Sequence, residues 1–282
     1  MTAEDRSPPN PLGMDGIEFI EYETSHPGEF GAMLQKMGFA AVAKHRSREV
    51  VQYRQGPMNL VVNSHAPRGD APMLSAIALR VRDAAFAHKH CIGLGAWDMP
   101  TRASAMELNI PGIHGVGESL IYFVDRYQDF SIYEVDFVPI AGADPEPPAV
   151  ARLHWFGVVQ AILGERTADW IDFYRHLFGF TVLPQGKYFG VLPKGTLLES
   201  PCRKFYLQLI EPPPGAEDIQ WEERLVRVGL GAPDIPAATR ALKERGIVFI
   251  DHGAVQPSDK GALTQVYVGA VTFELVKSHL QH

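Results

Sequence analysis

The feature that most limits what this chain can fold into is a repeat. Residues 17–23 alternate apolar and polar as Ile-Glu-Phe-Ile-Glu-Tyr-Glu. Phe30, Met33, Leu34 and Met37 then fall at the i, i+3, i+4, i+7 spacing of one helix face before Gly38-Phe39. That is a strand, an amphipathic helix and a glycine stop. Residues 153–160, Leu-His-Trp-Phe-Gly-Val-Val-Gln, are followed by Trp170, Phe173, Tyr174 and Leu177 at the same spacing, ending at Gly179-Phe180. A second unit also occurs twice. Ile77-Ala-Leu-Arg-Val-Arg-Asp83 leads to Gly95 and Val228-Gly-Leu-Gly-Ala-Pro-Asp234 leads to Gly246, with the glycine twelve residues after the aspartate in both. Each aspartate is placed to accept from the free N–H groups of the following helix. Pro236 suits the first turn, where its missing N–H costs nothing.

Short β-rich runs lie between these helices: Val50-Val-Gln-Tyr, Leu60-Val-Val-Asn, Leu120-Ile-Tyr-Phe-Val, Ser131-Ile-Tyr-Glu-Val-Asp-Phe, Phe205-Tyr-Leu-Gln-Leu-Ile, Thr264-Gln-Val-Tyr-Val and Val271-Thr-Phe-Glu-Leu-Val. Four βαβββ units account for them. The pattern predicts an α+β fold: two modules of paired βαβββ units, each a half-open curved sheet with its helices outside. Residues 139–152 are rich in proline and alanine without periodicity and read as a linker. The expected division is a tail over 1–15, one module over 16–138, the linker over 139–152 and a second module over 153–282. A length of 282 residues suits two such modules. Side chains alternating inward from several strands of a curved sheet converge in a cup, a natural place for a ligand.

Composition narrows the function. With 46% hydrophobic and 21% charged residues, each half has enough apolar surface for a core. The formal charge of −7, with no basic cluster, argues against a nucleic-acid surface. Cys91 and Cys202 are too few for a disulfide framework or a cysteine-ligated zinc site, and fit a reducing cytoplasm. The polar, acidic start is unlike a secretory signal, and no apolar stretch approaches the ~18 residues of a membrane span. No glycine-rich phosphate loop opens a helix, and no G-x-S-x-G turn is present.

Specific motifs add a family resemblance. Asn10-Pro-Leu-Gly-Met-Asp-Gly-Ile-Glu-Phe-Ile-Glu-Tyr, Val42-Ala-Lys-His-Arg-Ser, Tyr53-Arg-Gln-Gly, Ile121-Tyr-Phe-Val-Asp-Arg-Tyr and Ile132-Tyr-Glu-Val-Asp-Phe lie within residues 10–138. Together they closely resemble the N-terminal half of bacterial 4-hydroxyphenylpyruvate dioxygenases, members of the vicinal-oxygen-chelate (glyoxalase, bleomycin-resistance, extradiol dioxygenase) superfamily. The resemblance implies a structural N-terminal module. It also implies a C-terminal cup in which two His and one Glu hold Fe(II) and leave a face open for a 2-oxo acid and oxygen. Carried over residue by residue, it makes His154 in Leu153-His-Trp-Phe and Glu274 in Thr272-Phe-Glu-Leu-Val the metal ligands. The second His position falls on Arg227 in Leu225-Val-Arg-Val-Gly-Leu. Gln265 and Tyr267 match a strand beside the substrate. Ile210 stands where an Asn is expected, leaving Gln208 as the nearest amide. The chain stops at His282, which leaves little room for the helix that in the family covers the pocket.

Two function classes therefore stand side by side. One is a dioxygenase of aromatic 2-oxo acid catabolism, with Fe(II) on His154 and Glu274 and a third ligand from water, substrate or His252. The other is a metal-free paralogue, an accessory protein or lyase-type enzyme, that binds an aromatic or alicyclic carboxylate through the fork of Arg227. The expected partner in both is a small carboxylate or aromatic 2-oxo acid, with no nucleic acid and no membrane, and a homo-oligomer is compatible with either. His252 reads as a loop residue, and His88, His90 and His114 as structural. A buried Glu274 needs a metal or a cation, and without iron the Arg227 guanidinium should bond to it. Aligning the repeats by their helices sets Glu18 against His154, Ala76 against Arg227 and Glu134 against Glu274, and leads to the expectation that side chains fill the N-terminal cup.

Overall fold

A computed structural model describes residues 10–65, 67–100, 108–128, 130–184, 186, 189–191, 195–213, 215, 221–268 and 271–280. The repeat is present, with its last unit one strand short, because the expected strand over residues 264–268 is reduced to isolated bridges at Thr264 and Tyr267. The first unit runs β1 (Ile17–Glu23), α1 (Pro27–Lys36), β2 (Ala40–His45), β3 (Val50–Gln55) and β4 (Met58–Asn63). The second has β5 (Met73–Arg80), α2 (Ala84–Gly93), β6 (Gly112–His114) and β7 (Leu120–Val124), followed by α3 (Ile132–Asp136) and β8 (Phe137–Pro139). The third has β9 (His154–Ala161), α4 (Thr167–Phe178), β10 (Thr181–Val182), β11 (Thr196–Glu199) and β12 (Tyr206–Ile210). The fourth has β13 (Arg224–Ala232), α5 (Ile235–Glu244), β14 (Gly261–Leu263) and β15 (Phe273–Lys277).

Local chemistry marks the helix ends as the spacing predicts. Asp83 Oδ1 accepts from the Phe86 N–H at 2.8 Å and Asp234 Oδ1 from the Ala237 N–H at 2.9 Å. The four main helices are followed by Gly38, Gly95, Gly179 and Gly246, with φ between 80° and 99°, a left-handed conformation that carries a penalty for any side chain.

The strands form an eight-stranded sheet, β6-β7-β5-β1-β4-β3-β2-β8, and a seven-stranded sheet, β10-β11-β12-β9-β13-β15-β14. In each, the two units meet through an antiparallel pair, β1 with β5 and β9 with β13. Both pairs carry the same two register shifts. The first falls between Ile17 and Phe19 in one and between Gly229 and Leu230 in the other. The second falls between Glu21 and Tyr22, and between Leu225 and Arg227. The bulges are thus part of the repeat.

One face of each sheet packs on its helices, and these two faces share one hydrophobic core. Tyr22 contacts Phe273, Phe39 contacts Trp155 and Phe123 contacts Phe178, with ring centroids 6.3, 6.4 and 6.3 Å apart. Segment 139–152, expected as a linker, runs beside the β3–β4 turn. There the Gly56 N–H donates to the Pro147 carbonyl and the Val150 N–H to Gln55 Oε1.

One expected strand is a helix. Residues 132–136 form α3, which buries Ile132 and Asp136 four residues apart, while the Asp136 carboxylate accepts from the Leu108 N–H. Alternation in Ile-Tyr-Glu-Val-Asp-Phe looked like a strand, but the burial follows helical spacing.

Candidate functional site

The open face of the C-terminal sheet is built by alternation. On β9, Val158 and Gln160 point to the helices, Gln160 accepting from the Tyr174 hydroxyl of α4 at 2.6 Å, and His154 and Phe156 take the opposite face. On β15, Phe273 and Leu275 are core, so Glu274 and Val276 face outward with them. The bulge between Leu225 and Arg227 turns Arg227 to this same side. Glycines keep the floor clear: a Cβ at Gly231 would collide with the His154 ring, and one at Gly157 with the Tyr206 backbone.

His154, Arg227 and Glu274 thus share one face, as expected. Arg227 Nε donates to Glu274 Oε2 at 3.2 Å, and the Val191 N–H donates to Oε1 at 3.1 Å. Glu274 is 4% exposed, and a carboxylate at that depth requires such donors. The His154 Nδ1 lies 3.0 Å from the Arg152 carbonyl oxygen, which can only accept, so Nδ1 carries the proton. Nε2 then accepts from the Ser278 hydroxyl at 2.7 Å. Burial pushes the His154 pKa down, consistent with this neutral form.

Of the other expected residues, Gln208 stands in a row with Val159 and Arg227 across β12, β9 and β13. Gln265 is exposed beyond β14, and the Tyr267 hydroxyl is engaged by the Val248 backbone. His252 is an exposed loop residue. Sequence reasoning missed Ser278 and an aromatic cluster of Phe156, Phe189, Tyr206 and His279. In it Phe189 stacks on His279 at 5.3 Å and the Tyr206 hydroxyl bonds His279 Nε2 at 2.8 Å. Alternation through Glu274, Val276 and Ser278 was the available signal for the serine.

Whether these residues suit Fe(II) follows from the donor set. His154 is in the tautomer that presents an Nε2 lone pair, with its Nδ1–H anchored on a backbone carbonyl as ligating histidines are. Among the described residues, however, no three His, Cys, Asp or Glu side chains converge. A guanidinium occupies an oxygen of Glu274, and a second positive centre there would meet repulsion in a weakly screened site. As arranged, the residues do not fit a three-ligand iron centre.

The expectation of a filled N-terminal cup is overturned. A cavity of about 950 Å³ opens on the face of the eight-stranded sheet, lined by Phe19, Glu21, Val61, His114 and Tyr122 among others. The repeat alignment also changes. Strand pairing sets Gly16 against His154, Ala76 against Arg227 and Tyr122 against Glu274. Helix-based alignment failed for the first because it ignores the β1 bulge, and for the last because Glu134 lies in α3.

Two sheets of paired βαβββ units, each with one open face, are the architecture of the vicinal-oxygen-chelate class. A family model described as "Hydroxyphenylpyruvate dioxygenase, HPPD, N-terminal" matches residues 9–138. The chain is 33% identical to Hemolysin VllY of Vibrio vulnificus over 86% of its own length and 73% of that protein's. It is 28% identical to 4-hydroxyphenylpyruvate dioxygenase of Pseudomonas aeruginosa over 95% and 89%. A solved xylose isomerase-like TIM barrel/4-hydroxyphenylpyruvate dioxygenase fusion protein superposes with a TM-score of 0.76 at 22% identity. That match covers 100% of this chain and 52% of the fusion. The chain belongs to the 4-hydroxyphenylpyruvate dioxygenase-like family of the vicinal-oxygen-chelate superfamily.

Proposed function

We propose that this dioxygenase-like protein serves aromatic 2-oxo acid metabolism, seating a small aromatic 2-oxo acid or related carboxylate on the open face of the C-terminal sheet. The observation that carries this reading is Arg227. It is a half-buried guanidinium turned by a bulge onto the face that the family uses for chemistry, in one row with the Gln208 amide. A planar fork that stays charged is suited to a carboxylate. An incoming acid would share or take over the donor now spent on Glu274. Phe156, Tyr206 and Phe189 offer an aromatic wall on the same face. Gln265 and Tyr267 belong to the reading as further substrate contacts, reached if the ligand extends past β14.

The dioxygenase reading is favoured by His154, whose neutral tautomer leaves Nε2 unprotonated, the form that ligates iron once the Ser278 hydroxyl gives way. Bound Fe(II) would supply oxygen activation, held by His154 and Glu274, and Arg227 would first have to release Glu274. No helix among the described residues is long and apolar enough to cross a membrane. Together with free Cys91 and Cys202, this supports work in the reducing cytoplasm.

Calorimetric titration tests the reading. Native protein should bind 4-hydroxyphenylpyruvate without metal, lose about tenfold or more in affinity on Arg227→Ala, and bind Fe(II) weakly. Arg227→His should raise Fe(II) affinity by restoring two imidazoles and a carboxylate, and Glu274→Gln in that background should remove the gain. Tight stoichiometric Fe(II) binding by native protein, with oxygen uptake on adding the 2-oxo acid, would make the dioxygenase reading the right one.

A further inference from the structure

The two sheets match down to their bulges, so their open faces can be compared position by position. The C-terminal row Gln208, Val159, Arg227 corresponds to Val61, Glu21, Ala76 in the N-terminal sheet. Where one face carries a guanidinium the other carries a methyl group, and a carboxylate stands one strand away. Phe19, Glu21 and Glu23 alternate onto the open face while Ile20 and Tyr22 enter the core.

This face opens into the cavity of about 950 Å³, within the range of small-molecule sites. Phe19, Val61 and Tyr122 make one end apolar, whereas Glu21 and Glu23 make the other acidic. Among the described residues, four carboxylates (Glu21, Glu23, Glu118, Asp136) line it against two guanidiniums (Arg48, Arg68). Arg68 is committed, bonding Glu23 at 3.0 Å and Glu118 at 3.2 Å. Asp136 is held by the Leu108 N–H. Glu21 receives the Asn63 amide at 3.0 Å and forms no ion pair among the described residues. Burial and the charge of Glu23 push its carboxyl above the ordinary range. A desolvated carboxylate with no ion-pair partner among the described residues, at the end of an apolar cavity, is the complement of an ammonium group on an apolar body.

We propose that the N-terminal cup is a second ligand site, which takes a small amine with an aromatic or apolar body, the ammonium on Glu21 and the body against Phe19 and Tyr122. The two cups then have opposite charge preferences. A carboxylate ligand is repelled here by Glu21 and Glu23, and a neutral phenol leaves Glu21 unpaired.

Tyramine is the probe, titrated calorimetrically into the full chain. Expected are one saturable site, at least tenfold weaker binding of 4-ethylphenol and 4-hydroxyphenylacetate, at least tenfold loss in Glu21→Gln, and no competition from 4-hydroxyphenylpyruvate. Absence of saturable tyramine binding overturns the proposal. So does unchanged affinity in a folded Glu21→Gln, or displacement of tyramine by the 2-oxo acid. If Glu21→Gln does not fold, carbodiimide coupling of tyramine to native protein decides, since the bound amine should form its amide on the peptide containing Glu21. Coupling confined to other acidic residues would overturn the proposal.

Discussion

Glu21 and Arg227 show how one row of a repeated scaffold acquires opposite chemistry, the carboxylate standing on the strand next to the one that carries the guanidinium in the other sheet. Each is aimed by sheet alternation and a neighbouring bulge, and each is partly withdrawn from water. They differ in compensation: Arg227 has Glu274, whereas Glu21 has an amide and, among the described residues, no ion pair. This difference predicts a pH effect. Because the folded-state pKa of Glu21 is raised above about 4.5, its protonated form is favoured by folding. Stability is therefore full below the ordinary value and is lost as pH rises through the folded one. Groups acting on Glu21 are Asn63 and Ser75 through hydrogen bonds and Glu23 and Arg68 through charge. Glu21→Gln should melt above native protein at neutral pH, and the gap should close toward about pH 4. Thermal melts across that range check it, and a gap that widens in acid would contradict the burial argument.

At the scale of the element, the aspartate caps and left-handed glycines recur because each solves the same problem at a helix end. Asp83 and Asp234 satisfy one N–H each at the starts of α2 and α5. Replacing either with Ala should cost about 1 kcal/mol. The two caps begin helices of different halves and share no hydrogen-bond partner, so the losses should add in the double variant. Gly179 ends α4 at φ 80°, and Gly179→Ala should cost about 1 kcal/mol for the strained conformation. Urea unfolding with an unchanged m-value measures all four variants.

For the whole molecule, the shared core is the decisive arrangement. The helix-bearing faces of both sheets meet in one cluster, and the ring contacts Tyr22–Phe273, Phe39–Trp155 and Phe123–Phe178 cross from one half to the other. The two halves should therefore unfold together. Phe123, fully buried on β7, touches Phe178 at the end of α4. Phe123→Ala should cost about 3–5 kcal/mol. Far-UV dichroism and fluorescence of Trp155 and Trp170 should report one coincident, lowered transition. A Trp signal that stays at the native midpoint would mean that the C-terminal half stands alone.

The sequence by itself determined the number and order of the units, the caps and stops of the helices, and the residue types His154, Arg227 and Glu274 on the open face. These follow from periodicities of two and 3.6 residues, from backbone conformations that favour glycine and from hydrogen-bond needs at helix ends, all local rules. Tertiary structure alone decided what each face became. A bulge moves a side chain without changing the spacing around it, so helix-based alignment could not show that Gly16, and not Glu18, lies against His154. The Ser278 hydroxyl on His154 joins residues 124 positions apart. Similarly, the N-terminal cavity depends on how α3 and residues 108–110 lie over the sheet, and no window of sequence contains that distance. Local chemistry writes the elements, whereas long-range packing sets which carboxylate finds a cation and which is left facing open space.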